Sequence, residues 1–388
     1  MEEMNSRERV WTALSHKEPD RVPIDFASTH ITGIHREAYR PIAHQMRLPD
    51  DKLFRFQRSG LADPDERFLR KTGSDVRGVW PNKLGEGYWA VREWEDETHW
   101  YLEDEWGATW KKAKDGGLYY DVCEVPLNQD ELEEEDLDAY QYPVLDNPEK
   151  FTGMYEKAKE AYENGYAIFV ENPMVEIFHS QTRVRGFQNF FTDLLLTPDL
   201  AVRMMETTEE RMEDYFARVL DILQEFPIIV RLSDDLGSQS SLLMSGDMYR
   251  TMVKPLHRKL IDFIHSHAKN DVKIFFHSDG AIHELIPDLI EIGVDILNPI
   301  QYTCTGMSSA ALKKEFGKDL CFWGGGIDTQ TIFREGTVEQ VRDEVRRQIE
   351  TLAPGGGFVF SQVHNFQKGT DPEKFWAVWE TVQEYGKY

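Results

Sequence analysis

The chain has 388 residues, enough for two or three domains of about 150 residues or for one barrel of about 250 carrying insertions. Its 44 Lys and Arg against 69 Asp and Glu give a formal charge of −25, which argues against a nucleic-acid partner, whose phosphates are held by basic side chains. With 40% hydrophobic and 12% aromatic residues, a disordered or fibrous chain is excluded.

The opening MEEMNSRERV is charged and lacks the apolar centre of a secretory leader. No later apolar run approaches the roughly 18–20 residues of a membrane span, and Cys123, Cys304 and Cys321 form no CxxC pair. A cytoplasmic protein without membrane attachment is expected.

From there the chain alternates short runs rich in Val, Ile and Phe with longer segments of helical period, the pattern of a parallel sheet with crossover helices. The runs are VPIDF (22–26), DVRGV (75–79), AIFVE (167–171), PIIVRLSDD (227–235), VKIFFHSD (272–279), VDILNPIQ (294–301), LCFWGGGID (320–328) and GFVFSQVHN (357–365). Eight such runs predict an α/β fold of the (β/α)8 TIM-barrel type. Between the second and third runs, residues of about 80–147 are too many for one crossover. Residues 87–122 there alternate aromatic and polar side chains and carry DGG at 115–117, which predicts antiparallel hairpins inserted after the second strand. The acidic stretch at 128–140 reads as a solvated linker or helix face, followed by a helix at 148–164. The whole of 1–388 is read as a single barrel domain with this one insertion. Further helices are predicted at 246–269, kinked or restarted at Pro255; at 281–293, ended by Gly293; at 337–353, begun by Thr337 with Gln340 three residues on; and at 372–386.

In such a barrel the active site lies at the C-terminal ends of the strands. Those ends offer Asp25, Arg77, Glu171, Asp234 and Asp235, His277 and Asp279, Asn298 and Gln301, and His364 with Asn365. Turns account for single acids but do not call for histidine. His277 and Asp279 stand two apart in an extended run and so share a face. With His364 from the final strand they make two imidazoles and one carboxylate, a set suited to zinc or non-haem iron(II), although strand-end histidines also serve as substrate contacts or bond a backbone carbonyl. Of the neighbours Asp234 and Asp235, one is expected to face the mouth and the other to cap the loop. Arg77 would bind a substrate carboxylate or pair with Asp25 or Asp75. The glycines of FWGGGID match no phosphate-binding motif and read as close backbone approach. Trp89, Trp94, Trp100, Trp106 and Trp110 read as hairpin packing, one face of which is available to an aromatic substrate.

Several stretches together, SRERVWTALSHKEPDRVPIDF (6–26), DDLGSQSSLLMSGDMYRTMVKP (234–255), FFHSDGAIHELIPDLIEIGVDILNPIQ (275–301), WGGGIDTQ (323–330) and GGGFVFSQVHNFQ (355–367), resemble the uroporphyrinogen decarboxylase superfamily, and more closely its corrinoid-linked methyltransferase-like branch. The resemblance implies the same barrel. The decarboxylases carry an arginine-rich stretch near the N-terminus that VPIDFASTHITGIHREAYRP lacks, and a charge of −25 is poorly suited to a polyanionic substrate. In the methyltransferases the resemblance implies zinc held by an H-x-C pattern and a later cysteine; here His277 keeps the first place, Asp279 takes the second, and His364 stands near the third. A metal site of His277, Asp279 and His364 would keep a net positive charge and act as a Lewis acid on the oxygen of a small methyl donor, for example an aryl methyl ether. Asp235 and Glu171 would orient or protonate the leaving oxygen, with Arg77 as a third catalytic candidate. Asp25, Asp234, Asn298, Gln301 and Asn365 would bind substrate. The chain has no D-x-H-x-x-G cobalamin motif, so the corrinoid would come from a separate partner protein. The competing expectations are a cofactor-independent decarboxylase of a small carboxylated substrate, and a non-catalytic ligand-binding or corrinoid-protein partner. A homodimer is allowed by either reading.

Overall fold

Pro23 denies the first apolar run a backbone donor, and this run contributes only a bridge to the barrel that the other seven build. The computed structural model describes residues 3–49, 59–82, 90–117 and 119–388. Its strands, in chain order, are β1 (Val76–Val79), β2 (Ala90–Glu95), β3 (His99–Asp104), β4 (Thr109–Ala113), β5 (Asp121–Glu124), β6 (Ala167–Val170), β7 (Ile228–Ser233), β8 (Val272–His277), β9 (Ile296–Asn298), β10 (Cys321–Trp323) and β11 (Phe358–Val359). Seven of them form one parallel sheet in the order β1-β6-β7-β8-β9-β10-β11. The first run lies between its two ends. Ile24 bridges Phe360 in parallel, the Phe360 N–H donates to the Pro23 carbonyl at 2.8 Å, and the Asp75 N–H donates to the Ile24 carbonyl at 2.7 Å. The eight predicted runs thus occupy the eight places of a (β/α)8 barrel.

Side chains alternate in and out along each strand. The inward set, Val76, Ala167, Phe169, Ile229, Phe275, Ile296, Cys321, Trp323 and Val359, forms a separate apolar cluster that Val10 and Leu14 join. Those two belong to the helix Ser6–Leu14, which packs against β1, β6 and β11 and is started by an Asn5–Glu8 capping box. The outward set packs against the surrounding helices in the larger core.

The helices differ from the periodicity reading mainly where proline intervenes. Residues 246–269 form a short helix at Gly246–Met248, a π turn at Tyr249–Val253 and a regular helix from Lys254 to His267. Pro255 has no N–H to give, and the Lys254 N–H reaches back to the Tyr249 carbonyl. Of 281–293 only Ile286–Glu291 is α-helical, preceded by a 3-10 turn. Val338–Leu352 begins at the Thr337–Gln340 capping box as predicted, and Pro372–Tyr385 packs Phe375, Val378 and Val382 inward. After β1 the insertion forms a four-stranded antiparallel sheet in the order β2-β3-β4-β5. Trp89 lies outside the described residues.

Candidate active site

Strand register brings the chemistry together. Ser233 of β7 pairs with His277 of β8, and His277 pairs with Asn298 of β9. Two residues beyond the first pair, Asp235 and Asp279 therefore stand side by side on the inward face. The loops that carry them cross backbone against backbone: a Cβ on Gly280, whose φ is +94°, would lie 2.5 Å from the Gly237 carbonyl carbon. The Asp279 N–H donates to Asp235 Oδ1 at 3.0 Å. His277 Nε2 lies 4.0 Å from Asp235 Oδ1 and 4.0 Å from Asp279 Oδ2. One ligand atom from each of Asp235, His277 and Asp279 falls within 4.8 Å of the others.

Asn298 fixes the imidazole. Its Nδ2 donates to the Trp323 carbonyl at 2.7 Å, so its Oδ1 is the atom 2.6 Å from His277 Nδ1. That oxygen only accepts, and Nδ1 therefore carries the hydrogen and Nε2 presents its lone pair to the two carboxylates. A Cβ on Gly324, at φ +91°, would approach Asn298 Nδ2 to 3.0 Å, which explains the first glycine of the WGGG run. One neutral imidazole nitrogen and two carboxylates, turned toward one another without direct side-chain bonds between them, fit a divalent cation, and the Asn298 contact is the outer support such a histidine needs.

Burial opposes ionisation of both carboxylates. At Asp235 the neighbouring imidazoles of His277 and His179 and the Asp279 N–H outweigh it, and the pKa is lowered. At Asp279 burial and the adjacent Asp235 charge outweigh His277 and His364, and the pKa is raised.

The other predicted residues divide. Asp234 is fully buried and points away from the mouth; it accepts from the Phe178 and His179 N–H groups at 2.9 and 2.6 Å and from His257 Nε2 at 2.9 Å. It is the loop-capping member of the pair, and Asp235 is the one that faces the site. His364 stands outside the group of three, with Nδ1 3.4 Å from Gln367 Nε2, yet it is near enough to act on both Asp235 and Asp279. With Asp235 rather than His364 in the close group, a divalent cation would be formally neutralised, not left with the net positive charge expected from two histidines and one carboxylate. Glu171 lies inside the barrel, accepting from the His30 N–H at 2.6 Å and pairing with Arg231 at 3.1 Å. Arg77 is a correction: it sits on the outward face of β1, bound to Glu66 at 2.8 Å and stacked 3.6 Å from the Tyr166 ring centroid, because the inward places of that strand belong to Val76 and Gly78. Its partner is neither Asp25 nor Asp75. Asp25 is buried in the wall, bonded by Ser28 at 2.5 Å and Trp323 Nε1 at 3.1 Å. Gln301 accepts from the Gly280 N–H at 2.9 Å and so steadies the Asp279 loop. Asn365 is buried, and its Oδ1 has no partner among the described residues.

Three features were not anticipated. Arg231, two residues before Ser233 on the inward face of β7, is charged where an apolar run was read, and it pairs with Glu171 beneath the mouth. His179 follows β6 and lies near Asp235. Tyr119 of the insertion lies close enough to sense Gln367 and Asp279, burial being the main cause that raises its pKa. Period-2 counting along 227–235 would have found Arg231 on the same face as Asp235; nothing local in the sequence ties His179 or Tyr119 to the mouth.

The model of the family "Uroporphyrinogen decarboxylase (URO-D)" matches residues 180–385, a span that begins after the insertion. The chain is 25% identical over 204 residues to uroporphyrinogen decarboxylase of Neisseria meningitidis serogroup C (strain 053442), covering 52% of this chain and 53% of that one. It is 24% identical, with the same coverage, to that of Neisseria gonorrhoeae (strain NCCP11945). The chain thus spans about half the length of the curated relatives it matches. Among solved structures, a methyltransferase from Methanosarcina mazei superposes with a TM-score of 0.66 at 16% identity, over 99% of each chain, a likeness of fold. The barrel, its site at the strand ends and the match across more than half of its length together place this chain in the uroporphyrinogen decarboxylase family.

Proposed function

We propose that this protein is a metal-dependent methyltransferase, which binds a divalent cation, zinc in the simplest case, on Asp235, His277 and Asp279 and passes a methyl group from a small methylated substrate to a separate corrinoid protein. The observation that carries the reading is the presentation of His277 Nε2, fixed by Asn298, to two carboxylates at 4.0 Å. A cation held there supplies Lewis acidity toward a substrate oxygen. The chain's own part is positional. Asn298 keeps the imidazole in its metal-binding tautomer, the Asp279 N–H and Gln301 hold the two carboxylate loops, and the Glu171–Arg231 pair supplies a charged, desolvated floor. When the methyl–oxygen bond breaks, the electron pair stays on oxygen and the methyl group passes to the corrinoid partner; His179, near Asp235, or His364, near both carboxylates, would supply the proton that the leaving oxygen takes up. The outward turn of Arg77 removes the candidate on which a cofactor-independent decarboxylase reading leaned.

Metal analysis of the purified protein tests the reading. We expect about one zinc per chain after zinc supplementation, at least a tenfold loss of affinity in His277→Ala and Asp235→Ala, and retention in His364→Ala. Methyl transfer to free cob(I)alamin, followed by its visible spectrum, should fall with metal content. A wild-type chain that takes up no zinc, or carbon dioxide release from a carboxylated substrate without any corrinoid, would overturn it.

A further inference from the structure

Behind Asp234 lies a buried chain of donors that the mouth itself does not use. His257 of the helix Lys254–His267 is 2% exposed, and its Nε2 stands 2.9 Å from Asp234 Oδ2. Its Nδ1 stands 3.3 Å from the hydroxyl of Tyr249, which is fully buried at the start of the π turn. A carboxylate only accepts, so Nε2 carries the ring hydrogen toward Asp234. Burial, and after it the charge of Asp234, raises the Tyr249 pKa and keeps the phenol protonated; its hydrogen goes to Nδ1, the one partner it has among the described residues. The chain therefore runs in one direction, from phenol to imidazole to carboxylate.

The π turn makes this contact possible. Residues eight apart on a regular helix lie ~80° apart around its axis, whereas the extra residue of a π turn returns them to the spacing of seven, about 20° apart and on one face. Tyr249 and His257 are eight apart with that turn between them. The imidazole also packs edge-on against Phe276, the residue before His277, with ring centroids 5.1 Å apart. At the far end of the chain, Asp234 takes both N–H groups of the Phe178–His179 segment, at 2.9 and 2.6 Å. A loop cap would be complete with those two donors. His257 adds a third, which fixes the rotamer of a carboxylate closed to solvent. The side chain that this segment carries to the mouth is His179, near Asp235.

The geometry points to His257 and Tyr249 as positioning residues: acting through Asp234, they hold the Phe178–His179 segment and so set where the His179 imidazole stands in the mouth. The inference rests on the reading of the mouth as a methyl-transfer centre for the use made of His179, which becomes the source of the proton that the leaving oxygen takes up. His364 has no comparable anchor, its Nδ1 lying 3.4 Å from a single amide, Gln367 Nε2. A proton donor must be held within a narrow range of distance and angle, and a buried chain of three side chains supplies that constraint from behind the segment rather than from the mouth.

The test compares the wild-type chain with His257→Leu, His257→Gln, Tyr249→Phe and His179→Gln, circular dichroism checking each fold. Gln returns an amide N–H near the place of Nε2, and Leu returns none. In zinc-free protein carrying nitrogen-15 histidine, we expect His257 to show the Nε2–H tautomer. The His179 ring signals, assigned by their loss in His179→Gln, should move in His257→Leu and return toward the wild-type position in His257→Gln. Amide exchange over 176–181 should quicken at least tenfold in His257→Leu, about two- to fivefold in Tyr249→Phe and less than about twofold in His257→Gln. Zinc affinity should stay within about threefold throughout, since none of these variants changes a proposed ligand. Zinc-loaded protein then takes methoxybenzene or 4-nitromethoxybenzene as methyl donor to free cob(I)alamin. A nitrophenolate leaves without a proton, so His179→Gln and His257→Leu should slow the first donor at least tenfold and the second less than about threefold. Unchanged exchange over 176–181 in His257→Leu, quickening spread evenly through β7 and the helix Lys254–His267, or equal losses on both donors would overturn the inference. A wild-type chain that transfers from neither donor sinks the reading beneath it, while the nitrogen spectra and the exchange still decide the positioning role.

Discussion

Asp25 shows what the barrel wall does to a single carboxyl group. It is fully buried, and burial pushes its pKa up to about 6 against the lowering effect of its bonds from Ser28 and Trp323. An unfolded chain releases this proton near about pH 4, while the folded one holds it until about pH 6. The stabilising contribution of the protonated group is therefore fully present below about pH 4 and is lost as pH rises through 6. At ~1.4 kcal/mol per unit the loss is about 2–3 kcal/mol. Urea unfolding of wild type and Asp25→Asn at pH 4 and pH 6.5 should show the wild type losing about this much more than the variant; equal losses would mean that Asp25 titrates as in solvent. Single residues were unevenly legible from sequence. His277 and Asp279 were readable because two-residue spacing in a strand has one geometric meaning. The choice between Asp234 and Asp235 was not, since it depends on donors from the Phe178–His179 loop and on His257, both remote in sequence. His364 drew attention by its type, and only the tertiary arrangement groups Asp235 with His277 and Asp279.

At the scale of elements, the insertion was readable as hairpins from its alternation and its DGG, but its docking over the mouth was not, because a hairpin's sequence fixes its own register and not what its exposed face meets. Its internal order rests on Asp104 at the end of β3. One oxygen accepts the Trp106 and Ala108 N–H groups at 2.9 and 3.0 Å, and the other accepts Trp110 Nε1 at 2.8 Å. Thus one carboxylate closes the β3–β4 turn and fixes the Trp110 ring. Asp104→Ala should destabilise this sheet by about 2–4 kcal/mol, since three donors lose a charged acceptor. Hydrogen exchange should then speed up across 90–124 and stay unchanged in β6–β8. Uniformly faster exchange would instead mean that insertion and barrel unfold as one unit. The π turn at Tyr249–Val253 shows a different limit. Periodicity and Pro255 were enough to place a break there, but the form of the break depends on which carbonyl the Lys254 N–H finds.

For the whole molecule, the barrel count of eight was legible, while its weakest seam was not. That seam is the first run, held to β11 by the Ile24–Phe360 bridge, and it is secured from the other side by Asp75. This buried carboxylate accepts from Arg9 at 2.7 Å, Arg21 at 2.7 Å, Ser6 at 2.7 Å and the Ile24 N–H at 2.8 Å. It joins the plug helix, the first run and β1. Removing it leaves Arg9 buried beside Asp20 alone and frees the Ile24 donor, so Asp75→Ala should cost about 3–5 kcal/mol, read as a lower urea midpoint. A shift below about 1 kcal/mol would show that the seam is carried by apolar packing.

Among the described residues the insertion sheet ends in two open strands, β2 and β5, and neither curls back on the other. Such borders invite a strand from another molecule. Here Arg92, Glu93 and Glu95 occupy one border, and Asp121 and Glu124 occupy the other. An incoming copy would bring the same charges into register at close range, in a chain already carrying −25. The aromatic side chains of the insertion are thereby mounted on a sheet whose charged borders oppose pairing with a second copy, so that its tryptophans and tyrosines need not become a route to aggregation.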